Sequence, residues 1–224
     1  IQHGQAHEAL DAFEQMQSEH FSPDSVTFVC VLKACGSIGC IEKGQKIHAE
    51  IDKQGLLRHE KNVVLGSALV DMYAKCGVLV KAQKALQELP FRDVVCWNAL
   101  ISGYAQQQKG HEALNTYKSM LNEGLSPDIV TFICILKACG CIEAIEKGIQ
   151  IHGEIVCRGL LMKDIVLGNA LIDMYAKCGV TESAAQVLIE LPIRNIASWN
   201  ALIAGYTQHG KGFDALSCFE LIQS

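Results

Sequence analysis

Between Val94 and Asp128 apolar residues recur at helical spacing. Trp97, Leu100, Ile101 and Tyr104 stand at i, i+3, i+4 and i+7 and mark one face of a helix. After a break at Lys109-Gly110, the residues Ala113, Leu114, Tyr117, Met120 and Leu121 mark a second. Gly124 is placed to end that helix in left-handed backbone, and Ser126-Pro127-Asp128 supplies a turn out of it. The segment predicts two helices joined by a short break, each apolar on one side only.

Such a pair cannot bury both faces alone, and the chain supplies neighbours of the same kind. Val64–Gly77 (VLGSALVDMYAKCG) and Val166–Gly179 (VLGNALIDMYAKCG), 102 residues apart, differ only at Ser67/Asn169 and Val70/Ile172. CWNALISGYAQ at Cys96 returns as SWNALIAGYTQ at Ser198 with the same offset. VTFVCVLKACG at Val26 returns as VTFICILKACG at Val130 with an offset of 104, the extra two residues falling near Arg58–Lys61. Within this long period lie units 25–62, 63–93, 94–128, 129–164 and 165–195, of 38, 31, 35, 36 and 31 residues. A partial unit, 1–24, precedes them and a truncated one, 196–224, follows. Repeated helix pairs bury their apolar faces by stacking on one another. The expected fold is all-α, one α-solenoid superhelix with a concave and a convex face.

Composition narrows the chemistry. Half the residues are apolar and 19% are charged, enough to build a core. No apolar run approaches the roughly 18 residues of a membrane span. A net charge of −5 and a pI near 5.9 rule out a basic coat and leave room only for a localised positive footprint. Eleven cysteines, an odd number with no signal peptide, argue against a disulfide framework. Cys30 pairs in register with Cys134, Cys35 with Cys139 and Cys76 with Cys178, so each is expected to be a small buried side chain at a helix contact. Trp97, Trp199, Tyr73 and Tyr175 recur at apolar spacing and are read as packing residues. His48-Ala49-Glu50 and His152-Gly153-Glu154 fit the H-x-E of zinc deaminases, but the P-C-x-x-C that completes that site is absent. Both fall at the same repeat position. No catalytic residue, metal or cofactor is assigned, and no membrane or small-molecule substrate is expected.

The unit boundaries resemble those of pentatricopeptide (PPR) repeat proteins, in the subclass where three unit types alternate. WNALISGYAQ with GHEAL and EGLSPD resembles the P type, VTFxCxLKACG with EKGxxIHxEI the L type, and ALxDMYAKCG with LPxR(D/N) the S type. The order is P, L, S, P, L, S, P over the whole chain. A tetratricopeptide array would need a uniform 34-residue period and W-x2-L-G-x2-Y, which are missing.

The resemblance implies binding of single-stranded RNA, about one base per repeat, chosen by the fifth and last residues of a unit. It assigns Ser67 with Asp93 to G, Asn98 with Asp128 to U, and Asn169 with Asn195 to C and more weakly U. Asn200 alone implies a pyrimidine, and Asp24 is the surviving last residue of the first, partial unit. The L units carry Val29 and Ile133 at the fifth position and are expected to act as spacers. Read 5′ to 3′ along the chain, the target is G-U-x-C-Y. Val64, Val95 and Val166, second in their units, match residues that wedge between bases, though the residues alone fit inter-repeat core equally well. Lys75 and Lys177 match a phosphate-contacting position and fit a solvated charge equally well.

The resemblance further implies the target-recognition part of a plastid or mitochondrial C-to-U RNA-editing or RNA-processing factor. Multiple organellar RNA editing factor proteins are the implied protein partners, at the L units. The chain opens and closes part-way through a unit, so it is expected to be a fragment, with any targeting peptide or deaminase-like DYW domain outside it. A protein-binding helical scaffold is the competing reading.

Overall fold

A computed structural model describes residues 3–223, and side chains over 5–218. Ile1, Gln2 and Ser224, the outermost residues of the first and last predicted units, lie outside the described residues. The described residues form helices, two short 3-10 turns and connecting turns, and no strand. By internal contacts the chain divides into two compact units, Ile1–Gln107 with Ser119–Ser126, and Gln108–Lys118 with Pro127–Ser224.

In the first unit α1 (His3–Ser18) leads to the pair α2 (Ser25–Ile38) and α3 (Ile41–Lys53). The pair α4 (Val63–Lys75) and α5 (Leu79–Glu88) follows, then α6 (Val94–Gln106). The first helices of successive pairs lie side by side, α2 on α4 and α4 on α6, while α3 and α5 each also touch the first helix of the next pair. Helix α7 (Gly110–Asn122) is divided between the two units.

The second unit repeats the scheme. It contains α8 (Ile129–Cys141), α9 (Ile145–Cys157), α10 (Ile165–Lys177), α11 (Thr181–Glu190), α12 (Ile196–Gln208) and α13 (Gly212–Gln223). Again α8 packs on α10 and α10 on α12.

The apolar stripes explain this packing. Trp97, Leu100, Ile101 and Tyr104 on α6 are buried, as are Ala113, Tyr117 and Met120 on α7, while Leu121 is 40% exposed at the edge of its stripe. First helices run so close that small residues are required between them. A β-carbon on Gly36 would stand 3.3 Å from the Met72 Cα, and one on Gly103 2.8 Å from a Leu79 methyl and 2.9 Å from the Ala74 Cβ. Gly77, Gly124 and Gly179 close their helices at φ of 78°, 78° and 77°, a backbone state that glycine adopts without strain.

The cysteines follow the expected register only in part. Cys35 and Cys139 are fully buried at helix contacts and Cys134 is nearly so, but Cys30 is exposed. Repetition in sequence does not carry burial with it here, because burial depends on which element lies opposite. Burial pushes the thiols of Cys35 and Cys139 up to about 12, which makes both inert as nucleophiles. Tyr73, Tyr175 and Trp97 are buried and Trp199 is half-buried, as packing residues. His48 and His152 meet the same partners in both copies. Each ring Nδ1 stands against a tyrosine hydroxyl, Tyr73 at 2.8 Å and Tyr175 at 2.9 Å. The H-x-E histidines join a second helix to the next first helix, and among the described residues no cluster able to hold a metal ion occurs.

Candidate nucleic-acid interface

The boundary residues are helix caps. Asp24, Asp93, Asp128, Asp164 and Asn195 sit in extended backbone just before α2, α6, α8, α10 and α12. Each accepts a hydrogen bond from the amide three residues on: Thr27, Cys96, Thr131, Leu167 and Ser198, at 2.8–2.9 Å. These bonds satisfy donors that the first turn of a helix otherwise leaves open. The local sequence thus places a carboxylate or amide at the same point of every such junction.

Two of these caps also reach the fifth residue of their own unit. Ser67, on α4 and 6% exposed, donates from Oγ to Asp93 Oδ1 at 3.2 Å, with the Val63 carbonyl and Cys96 Sγ both at 3.0 Å. Asn169, half-buried on α10, donates from Nδ2 to Asn195 Oδ1 at 3.3 Å. Its Oδ1 accepts from Ser198 Oγ at 2.6 Å. Asn195 Oδ1 accepts from the Ser198 amide and the Asn195 amide donates to Ser198 Oγ, so one capping box orients the pair. Fixed donors and acceptors of this kind suit recognition of one polar edge over another.

Asn98 lies on α6 in the first unit, 6% exposed, while Asp128 lies in the second, in a capping box with Thr131. Asn200 is exposed on α12. Val29 and Ile133, fifth in the long units, are half-buried.

The second-position valines stand in the open. Val64, Val95 and Val166 are 62%, 58% and 55% exposed, which excludes the core alternative for them. Val26 and Val130 in the long units are equally bare, at 67% and 53%, a similarity the sequence reading did not draw on. In the first unit Val26 and Val64 flank a cleft of about 300 Å³ between α2 and α4, with Val29, Lys61 and Asn62 also lining it. Exposed apolar side chains facing a cleft offer flat contact for an apolar ligand face.

Lys75 and Lys177 each pair with an aspartate one turn earlier, Asp71 and Asp173, at 2.7 Å. Both pairs are at least partly solvated, so each ammonium is held in place with its charge largely offset. The capping role of the boundary residues was absent from the sequence reading, although Asp or Asn before an apolar stripe is the local signal for it.

Comparison with known proteins adds the family context. A model of the PPR repeat family matches residues 92–141, and a PPR repeat model matches 1–21, 169–196 and 197–224. A chloroplastic pentatricopeptide repeat-containing protein of Arabidopsis thaliana is 40% identical over 213 residues, 95% of this chain and 34% of that one. A mitochondrial protein of the same plant, named a putative pentatricopeptide repeat-containing protein, is 37% identical over 222 residues, 99% of this chain and 35% of that one. The chain thus spans about a third of the length of these relatives. Among solved structures, the pentatricopeptide repeat protein PPR10 in complex with an 18-nt psaJ RNA element matches with a TM-score of 0.78. That match covers 98% of this chain and 33% of PPR10, at 22% identity. This likeness shows the fold, an α-solenoid of stacked helix pairs.

Proposed function

The chain belongs to the PPR repeat family, and from that premise we propose that it binds single-stranded RNA and selects bases through paired fifth and last residues. One observation carries the reading. The last residues Asp93 and Asn195 hydrogen-bond the fifth residues Ser67 and Asn169 of their own units, across 26 residues of sequence. A base edge is read well only by groups whose orientation is set before it arrives, since ordering them on binding costs affinity. The exposed valines beside these pairs supply apolar contact for base faces.

The assignments follow unit by unit: Ser67/Asp93 for G, Asn98/Asp128 for U, Asn169/Asn195 for C, and Asn200 for a pyrimidine. Val64, Val95 and Val166 lie between successive bases. Lys75 and Lys177 approach phosphates. The target is G-U-x-C-Y. Alternation of P, L and S units supports the target-selecting part of an organellar editing or processing factor. Relatives named chloroplastic or mitochondrial support a plastid or mitochondrial setting. Multiple organellar RNA editing factor proteins are the proposed partners, at the L units.

The test is selection from randomised single-stranded RNA at stated salt. Enrichment of G-U-x-C-Y is expected. RNA binding without that motif would overturn the base assignments, and no RNA binding would overturn the function in favour of a protein-binding scaffold.

A further inference from the structure

The second helices of the two long units close on different residues. Gln54 follows α3 and Arg158 follows α9, at the same repeat position and in the same right-handed backbone. Arg158 folds back over its own unit. Its guanidinium lies 5.3 Å from the Phe132 ring centre, donates to the Pro127 carbonyl at 2.9 Å and pairs with Glu154. Tyr117, on the helix before, is 2% exposed, with the Lys147 ammonium over its ring.

The first copy keeps the receiving groups and lacks the cation. Phe28, Pro23 and Glu50 stand where the second copy has Phe132, Pro127 and Glu154, and Phe13 stands for Tyr117. Gln54 turns its amide onto Glu50 Oε1 at 2.9 Å and lines none of the space beyond. That space is an open pocket of about 240 Å³ between α1, α2 and α3. Phe13 and Phe28, with ring centres 6.3 Å apart, form its apolar side, and Glu14 and Glu50 its acidic one. Phe13 is only half-buried where Tyr117 is covered. Lys43, paired with Glu14 at 2.8 Å, and the exposed Lys46 balance the two carboxylates. Among the lining positions the second copy has Lys118 for Glu14 and Gln150 for Lys46, so it holds its guanidinium in a more positive setting than the first copy offers. Glu50 has one further cation near it, Lys53 at 3.8 Å, which is largely solvated.

We propose that this pocket receives an arginine side chain from a partner protein, its guanidinium paired with Glu50 and laid against the Phe13 ring. The occupant is a cation on a slim apolar stem, which a protein carries and RNA does not. A planar guanidinium pairs with a carboxylate while resting on an aromatic ring, and a strongly hydrated ammonium does this less well. The pocket shares no residue with the Ser67/Asp93 pair, and the RNA-binding reading does not depend on it.

NMR titration of the intact chain with N-acetylarginine amide tests this. Saturable shifts are expected at the Phe13 ring and at the amides around Glu50. The citrulline analogue, equal in shape but neutral, should bind at least about tenfold more weakly, the worth of a hydrogen bond to a charged group. The lysine analogue should fall between them. Gln54→Arg supplies the guanidinium from within, as Arg158 does, and should abolish the saturable shifts while melting no lower than wild type. Glu50→Gln should abolish them as well. Absence of saturable shifts at Phe13, a citrulline analogue that binds as well as arginine, or saturation that survives in Gln54→Arg would each overturn the arginine site.

Discussion

Ser67 Oγ donates to Asp93 Oδ1 at 3.2 Å, and that same carboxylate oxygen accepts the Cys96 amide at 2.9 Å. One side chain thus starts α6 and orients a residue on α4. The two roles separate by substitution. Asp93→Asn keeps an N-cap of equal rank, so stability should hold within a few tenths of a kcal/mol while the base preference at that position changes. Asp93→Ala should cost about 1 kcal/mol in urea melts as well as the preference. Equal base profiles for wild type and Asp93→Asn would mean that Asp93 is a cap and nothing more.

Asn98 offers a sharper test of the base assignments. It lies on α6 at the fifth position, where Ser67 lies on α4. Asn98→Ser should move the preferred base at one position from U toward G, measured by anisotropy against a panel of four RNAs differing only there. An unchanged profile would sink the fifth-residue assignment.

Close helix contact makes a second kind of prediction. A β-carbon on Gly103 meets Leu79 at 2.8 Å and Ala74 at 2.9 Å, so Gly103→Ala should cost roughly 1–3 kcal/mol by overpacking. Gly153, inside α9, has open space where the β-carbon would go, and the first long unit carries Ala49 at the same place. Gly153→Ala should therefore stabilise by about 0.5–1 kcal/mol through the helix backbone alone. Thermal melts of the two variants should move in opposite directions.

Much of the helical framework was readable because packing imposes it on the letters. Trp97, Leu100, Ile101 and Tyr104 recur at helical spacing because all four must point at neighbouring helices, and all four are buried. Cys30 shows where that logic stops. It shares its register with Cys134, yet one is exposed and the other 8% exposed, since the neighbour across the contact is not written in the repeat. The site was less legible. Ser67 and Asp93 are 26 residues apart, so no local pattern joins them, and only resemblance named them together. Asn62 looked like any other boundary residue; its turn toward Leu56 depends on how two extra residues fold. The bond from His48 to Tyr73 likewise crosses 25 residues that share no motif.

The two histidines should give the chain a measurable acid response. Burial lowers the pKa of His152 against the opposing charge of Glu190, and its Nε2 is buried without a hydrogen-bond partner. The unfolded chain then binds the proton more tightly than the folded one, so this contribution to stability is present above the ordinary histidine value, about 6.5, and is lost as pH falls below it. His48 is lowered by the same cause, but Asp52, 3.4 Å from its Nε2, favours the charged ring. His152→Gln should flatten the fall in melting temperature between pH 7.5 and 5.5, and His48→Gln should flatten it less. Identical pH profiles in wild type and His152→Gln would show that the ring is not titrating with unfolding.

Lys75 poses the last question, because its charge is already engaged. Asp71 lies one turn earlier at 2.7 Å, and Asp173 holds Lys177 in the same way. An exposed i,i+4 pair of this kind contributes only about 0.2–0.5 kcal/mol, so breaking it costs the helix little. A lysine that touches phosphate should therefore bind more strongly once its aspartate is neutralised. Asp71→Asn is expected to tighten RNA binding and steepen the salt slope, by up to about 0.7 for one phosphate. Removing a negative charge also helps any polyanion at long range, so the gain alone proves nothing about Lys75. The decisive comparison places Asp71→Asn in a Lys75→Ala background. If Lys75 is the phosphate contact, the two effects depend on one another and the gain shrinks to its long-range remainder. If the gain is the same in both backgrounds, Lys75 is a solvated surface charge, and the aspartate holds it only to the helix.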